Sequence, residues 1–335
     1  MRLHEDKDAF RALLSTIGER TGIREDIIEK DYYLTMLLSE LAEKQGNLPA
    51  YFKGGTALYK ALGDMIRFSE DIDLTVETKD CSKSQGKVRL ERAANGYTLL
   101  PRTADKARES NKRGSITTVY EYTPVTAVDA GDELQRFGYV KVEATSFTIS
   151  EPFEPMMIAP LLYDKATAEE KNVLEDHYGV KPFSVNTIRL ERIFADKILA
   201  AEFYYQRYMY FDVAKHMFDL SVMMQMPKIQ TLISQPNTLV QMLAYKRMEE
   251  KERIGSDLAQ TPFSEFALFG AMRKDRKLED QFMRMQRIYI FNENAMLPYD
   301  EVVGRLDVLN GILLQLNEPL ERRQEEEIGF VQTML

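Results

Sequence analysis

The sequence predicts an α+β chain: a mixed sheet with flanking helices, followed by a purely helical region. Three observations carry this reading. Runs rich in β-branched and aromatic residues occur at 71–76 (D-I-D-L-T-V), 115–123 (S-I-T-T-V-Y-E-Y-T), 139–147 (Y-V-K-V-E-A-T-S-F) and about 155–162, the composition of half-buried strands. Ahead of them Ile27, Ile28, Leu34, Leu37, Leu38 and Leu41 recur at helical spacing, which predicts a helix over 24–44. After about residue 189 one helical pattern follows another, at roughly 189–205, 211–225, 237–253, 275–291 and 299–315, with Met and Phe supplying much of the apolar stripe. The expected domains are therefore 1–185 and 186–335.

At 335 residues and 44% hydrophobic content the chain can bury a sizeable core. Its one cysteine, Cys81, excludes an intramolecular disulfide, and no apolar run approaches the ~20 residues of a membrane span. The opening M-R-L-H-E-D-K-D carries acids and no apolar core, unlike a secretion signal, so a cytoplasmic protein is expected. A net charge of -9 speaks against non-specific coating of nucleic acid, which demands basic surface. One stretch runs the other way: residues 79–113 hold ten Lys or Arg against four acids. A solvated polar face and a contact for a polyanion both fit that stretch.

Between the first helix and the first long strand lies F-K-G-G-T-A-L-Y-K-A-L-G, residues 52–63. Tyr51–Lys53 reads as a short strand, Gly54-Gly55 as a break, and Ala57, Leu58, Ala61 and Leu62 as a helix that Gly63 would cap. Strand, glycine pair, helix is a phosphate-binding order, because glycine lets backbone approach an anion and the first helical N–H groups point at it. Thr56 adds a hydroxyl and Lys53 a cation at the strand end. The Walker A spacing is absent, and an ordinary glycine turn remains open at this point.

In a strand, residues i and i+2 share a face, so Asp71 and Asp73 project together while Ile72 and Leu74 turn inward. Two such carboxylates repel unless a counter-charge joins them, and a hard divalent cation is the usual partner. A calcium loop would place its acids among Gly and Asn, without the Ile and Leu found here; a solvated strand face is the other alternative. Glu143, in V-K-V-E-A, shares a strand face with Lys141 and is either a third metal ligand or a surface glutamate.

G-G-T followed by D-x-D resembles the signature of the DNA polymerase β-like nucleotidyltransferase superfamily. The fuller string K-G-G-T-A-L-x-K … R-F-S-E-D-I-D-L is similar to its AbiEii/AbiGii branch, toxin components of bacterial toxin-antitoxin and phage abortive-infection systems that include the MenT toxins. The resemblance takes in I-I-E-K-D-Y-Y-L at 27–34 and covers most of residues 20–225. It implies a polymerase β-like nucleotidyltransferase domain followed by the helical region.

Further along, Leu190, Ile193, Phe194, Ile198 and Ala201 form an apolar helix stripe on which Lys197 also falls. Snorkelling to solvent and an ammonium aimed at a nucleotide phosphate both account for it. The family's E-x-x-x-x-K helix, which supplies such a lysine, is matched at Glu191 and Lys197 with one residue of slack. Asp212, Lys215 and Asp219 share the polar face of the next helix. A-K-H-M-F-D-L resembles the family's R-D-x-x-D-L, whose final aspartate corresponds to Asp219; His216 stands where the family has aspartate.

The resemblance also implies roles. An NTP would dock on Gly54, Gly55 and Thr56, with Lys53 and Arg67 assisting and Ser69 beside the acids, structural rather than reactive. Asp71 and Asp73, with Glu143 as a possible third ligand, would hold Mg²⁺ or Mn²⁺. Lys197 would stabilise developing charge, and Asp219 would position the lysine or bind the acceptor. The implied acceptor is the 3′ end of tRNA, for which segment 79–113 would supply basic surface, and the implied partner is an antitoxin of the winged-helix regulator type. Transfer to a protein side chain or a cationic small molecule, and a non-catalytic nucleotide-binding module, are the alternatives the residues leave open.

Overall fold

The computed structural model describes residues 2–61, 67–127, 136–146, 152–251, 257–291 and 293–316. They fall into two compact units, Met1–Arg189 with Tyr289–Ala295, and Leu190–Ile288 with Met296–Leu335.

The first unit is built on a seven-stranded mixed sheet of order β3-β4-β5-β2-β1-β7-β6. Its strands are β1 (Ala50–Lys53), β2 (Asp71–Val76), β3 (Ser110–Lys112), β4 (Ser115–Glu121), β5 (Tyr139–Thr145), β6 (Phe153–Ile158) and β7 (Phe183–Ile188). β1 runs antiparallel to β2 and parallel to β7, while β2 runs parallel to β5. Phe52, Ile72, Leu74, Val140 and Val142 are fully buried, so the central strands place alternate side chains in the core. The helices of this unit are α1 (Lys7–Thr21), α2 (Glu25–Lys44), α3 (Gly54–Lys60), α4 (Lys83–Asn95), α5 (Leu161–Asp164) and α6 (Ala168–Tyr178).

α2 carries the expected apolar stripe together with charges that the stripe alone does not foretell. Asp26, Glu29, Lys30, Asp31 and Glu40 are all buried, and buried charges must find partners. Glu29 accepts from the backbone N–H groups of Val125 (2.7 Å) and Thr126 (3.0 Å). Glu40 accepts from those of Thr98 (2.8 Å) and Leu99 (2.7 Å). Asp31 takes two bonds from the Lys60 ammonium (2.7 and 2.9 Å), one from the Tyr59 hydroxyl (2.8 Å) and one from the Leu161 N–H (2.5 Å). One helix thus ties down α3, the start of α5 and two loops through carboxylates.

The second unit is helical: α7 (Leu190–Tyr205), α8 (Tyr210–Met223), α9 (Pro227–Ile233), α10 (Pro236–Glu249), α11 (Ala267–Ala271), α12 (Arg276–Tyr289) and α13 (Tyr299–Leu316). Val213, Met217, Phe218, Leu239, Leu243, Phe282, Met285, Leu306 and Leu309 fill its core. Glu202 anchors the start of α11 by accepting from the N–H groups of Ala267 (3.0 Å) and Leu268 (2.9 Å).

The α+β architecture expected from the sequence is the one found. The boundary expected near 185 falls inside β7, and the first unit ends at Arg189 and takes back Tyr289–Ala295. The strand expected at about 155–162 is β6, ending at Ile158, with α5 starting at Leu161. Leu62 and Gly63, with the expected cap, and the last residues of the expected segments 139–147 and 237–253 lie outside the described residues.

Asp31→Ala would leave the Lys60 ammonium buried without its counter-charge. The expected loss is about 3–5 kcal/mol, of which Lys60→Met in the same chain restores a part. Urea unfolding of the two single variants and the double variant measures both terms.

Candidate active site

The site in the first unit starts from a backbone that only glycine can follow. Lys53 ends β1 in extended conformation, and Gly54 then turns with φ +78°. A Cβ on Gly54 would stand 2.1 Å from Asp73 Oδ2, and one on Gly55 2.8 Å from both Arg67 Nη2 and Ser69 Oγ. The glycine pair is therefore the surface against which Asp73, Arg67 and Ser69 are laid. No side chain of the N-cap residue closes the first turn of α3, the kind of helix start at which an outside acceptor can bond the leading N–H groups. Thr56 Oγ1 donates to the Asp71 carbonyl at 2.5 Å, pinning α3 to the start of β2.

Asp71 and Asp73 are the half-buried positions of β2, alternating with the fully buried Ile72 and Leu74, so the two carboxylates share one face. Asp73 is in register with Lys53 on one side and Glu143 on the other, and Asp71 with Lys141. Lys141 Nζ lies 4.0 Å from Asp71 Oδ2. Asp71 Oδ1 is buried and accepts no hydrogen bond. Burial first, then the neighbouring Glu70 carboxylate, raises the Asp71 pKa to about 6 against the pull of Lys30 and Lys141, with Glu143 adding to the rise. The donor set suits a hard cation: two same-face carboxylates, one with a buried unpartnered oxygen that a charge-compensating ligand would satisfy. No group of three or more metal-binding side chains is gathered among the described residues. Glu143 thus neighbours Asp73 in register without completing a formed triad.

Behind Asp71 stands a second layer that motif reading did not single out. Lys30 is fully buried, 3.9 Å from Glu70 Oε2, and donates to the Arg136 carbonyl. Arg136, also buried, approaches the same Glu70 oxygen at 3.8 Å, and the Tyr289 hydroxyl donates to Glu70 Oε1 at 2.8 Å. Burial pulls the Lys30 pKa down, against the pull of Glu70 and Asp71. Arg67, buried against the Tyr289 ring, donates to the Phe68 carbonyl at 3.0 Å. The available signal was the charged triplet Glu29-Lys30-Asp31 inside an otherwise apolar helix, where each charge needs an interior partner.

In the second unit Lys197 and Asp219 form a buried ion pair, Nζ to Oδ2 at 2.6 Å. The apolar stripe of α7 buries this lysine, and the pair excludes the snorkelling reading. His216 stacks against Tyr204, ring centroids 5.3 Å apart. Lys215 pairs with Asp212 at 2.7 Å on the half-buried face of α8.

Of the ten basic residues in 79–113, several are engaged internally. Arg102 and Lys106 bind Glu109, Arg108 lies 3.8 Å from Glu121, and Arg89 donates to the Glu77 carbonyl. Lys79, Lys83, Lys87, Arg92, Lys112 and Arg113 are exposed.

A mixed sheet that sets a strand-borne Asp-x-Asp against a Gly-Gly-Thr turn is the architecture of a nucleotidyltransferase. The family model for the nucleotidyl transferase AbiEii toxins of type IV toxin-antitoxin systems matches residues 36–293, and the chain belongs to that family. Such membership implies an NTP substrate and an antitoxin partner. Among solved structures, the chain is similar to MenT4, a nucleotidyltransferase toxin from Mycobacterium tuberculosis, at 15% identity and TM-score 0.49, over 96% of this chain and 98% of that one. It is also similar to JHP933 from Helicobacter pylori, at 17% identity and TM-score 0.40, over 91% and 98% of the two chains. No curated protein matches. No helix among the described residues is long and apolar enough to cross a membrane.

Two outcomes are expected. Gly54→Ala meets both the positive φ and the Asp73 carboxylate; it should lower stability by roughly 1–3 kcal/mol and abolish nucleotide binding, read by thermal unfolding with and without NTP. Asp71 holds its proton more tightly folded, at about 6, than unfolded, at 3.8. Its ionisation therefore opposes folding as pH rises through that window. In chelator-containing buffer Asp71→Asn should match wild type below pH ~4 and exceed it by up to about 3 kcal/mol above pH ~6.

Proposed function

We propose that the protein transfers a nucleoside monophosphate from an NTP to the 3′ end of tRNA in a Mg²⁺-assisted reaction, so that the modified tRNA is withdrawn from translation. The observation that carries the reading is the placement of Asp71 and Asp73 on one face of β2, with Asp73 laid on the Cα of Gly54. Mg²⁺ or Mn²⁺ bound by Asp71 and Asp73, with Glu143 as a further ligand, would offset the phosphate charge and make the acceptor hydroxyl more acidic.

The chain's own groups take the remaining roles. The N–H groups of Gly54, Gly55 and Thr56 receive the phosphates, with Lys53 and Arg67 adding positive charge and Ser69 supporting the turn. The acceptor oxygen bonds to the α-phosphorus while pyrophosphate departs in line. Lys197 offsets the charge that develops on the phosphates, and Asp219 holds it in orientation. Exposed Lys83, Lys87 and Arg92 on α4, with Lys112 and Arg113 at the β3–β4 turn, support a contact with the tRNA backbone. The reading places the protein in the cytoplasm as a phage-defence toxin held in check by an antitoxin of the winged-helix regulator type.

Purified protein incubated with each α-labelled NTP, Mg²⁺ and total cellular RNA should label the tRNA fraction. Asp71→Asn, Asp73→Asn and Lys197→Ala should each lower transfer by about 10²–10³-fold or more. Label in protein or small molecules, with none in RNA, would replace the acceptor.

A further inference from the structure

Residues 203–211, F-Y-Y-Q-R-Y-M-Y-F, hold six aromatic rings in nine positions at the junction of α7 and α8. Helix α7 ends at Tyr205, and the chain reverses through Tyr208, the one described non-glycine residue with positive φ, at +57°. The Met209 N–H closes the turn on the Tyr204 carbonyl at 3.1 Å. This is a helix-terminating position at which glycine is the ordinary residue. A tyrosine here strains the backbone and gains no burial, because its side chain is 77% exposed. The ring meets Tyr210 edge-on, centroids 6.3 Å apart, yet stays largely exposed, so packing gives little return for the strain and the ring points to a use outside the chain.

The ring borders an open cleft of about 410 Å³ lined by Tyr208, Met209, Tyr210, Phe211, Asp212, Lys277, Asp280 and Gln281. That volume lies in the roughly 300–1,000 Å³ range of small-ligand sites. Half of the lining is aromatic or thioether and half is charged or amide. A protein hot spot is depleted in Lys and Asp, whereas a platform for single-stranded nucleic acid combines aromatic faces with cations. The carboxylates narrow the choice further. Beside a phosphate chain Asp280 would repel its ligand, so it is tolerated where it accepts from an exocyclic amino group on a base edge.

We propose that this cleft binds one unpaired, amino-bearing nucleobase (adenine, cytosine or guanine) of the acceptor RNA. The base stacks on Tyr208, with Tyr210 edge-on beside it, presents its amino edge to Asp280 and Gln281, and has the Lys277 ammonium for an adjoining phosphate. The biological meaning rests on the reading above that the acceptor is RNA. A paired base has its ring faces covered and does not enter, so the site selects a single-stranded end over a stem.

The test uses the full chain and fluorescently labelled oligo(C), oligo(U) and a blunt RNA duplex, read by anisotropy at fixed salt. Wild type should bind oligo(C) more tightly than oligo(U) and the duplex most weakly. Tyr208→Gly removes the ring at a position whose backbone favours glycine, so the fold is kept while oligo(C) binding falls by roughly five- to a hundredfold. Tyr208→Phe keeps the stacking face and should bind like wild type, and Asp280→Ala should erase the preference for C over U. Equal binding by wild type and Tyr208→Gly, or a duplex bound as tightly as single strands, overturns the proposal. So does a Tyr208→Gly variant that loses only self-association or antitoxin neutralisation, which would make this a protein surface. Tyr208-dependent binding of oligo(C) without label transfer to any RNA would leave this site standing and remove the transferase reading. Transfer to tRNA that Tyr208→Gly leaves untouched does the reverse.

Discussion

The approach of the Asp73 carboxylate to the Cα of Gly54, so close that a Cβ would fall 2.1 Å from its oxygen, sets the geometry of the first unit's site. It fixes the register of β1 against β2, because Lys53 pairs with Asp73 one residue before the turn. The same turn starts α3 directly against that carboxylate. A like-charge pair on a rigid central strand and an anion-seeking helix start are thereby held in one place. Asp71 keeps a buried oxygen that accepts no hydrogen bond, the condition of a site that a ligand would complete rather than of a settled core.

The motif that ends in Lys60 shows how such a site is supported. Lys60, six residues after the glycine turn begins, is buried on Asp31 and serves the fold. Glu29 and Glu40 likewise spend their charge on backbone N–H groups. Carboxylates that accept several hydrogen bonds are stabilising in the interior; Asp71, with an unpartnered oxygen and a raised pKa, is the opposite case. The contrast between residues 31 and 71, both in the first unit, separates an acid whose oxygens are bonded by the fold from one that keeps an oxygen unbonded.

Much of this was legible beforehand, and the reason differs from element to element. D-I-D-L-T-V alternates strictly, and β2 occupies Asp71–Val76 as expected. The five helices expected in the second unit lie within a few residues of α7, α8, α10, α12 and α13, whereas the short α9 and α11 were not expected. β7 was missed because F-S-V-N-T-I mixes polar residues at its half-buried positions with short apolar ones, and β3 because S-N-K is a three-residue edge held only by β4. α4 was hidden by its polarity, since Leu90, Ala93 and Ala94 give only a thin apolar stripe among charges. In the site, the Asp pair and glycine turn were readable because short-range spacing fixes them. Glu70, Lys30 and Arg136 were not, since their meeting depends on a helix, a strand entry and a loop that only the fold brings together.

Lys197 and Asp219 raise a different question, because a buried pair at 2.6 Å can exist for the fold alone. The surroundings in the second unit argue otherwise. Arg192, five residues earlier on α7, pairs through one guanidinium nitrogen with Glu249 and Asp196, so that unit already has an ionic cross-link to α10. Such pairs add little net stability over apolar packing of the same volume. A second pair on the same helix is therefore poorly explained as a brace. Its geometric effect is to hold the Lys197 ammonium in one orientation against a carboxylate that is itself fully buried. Because Lys197 and Asp219 meet in one contact, their effects should be non-additive when both are removed.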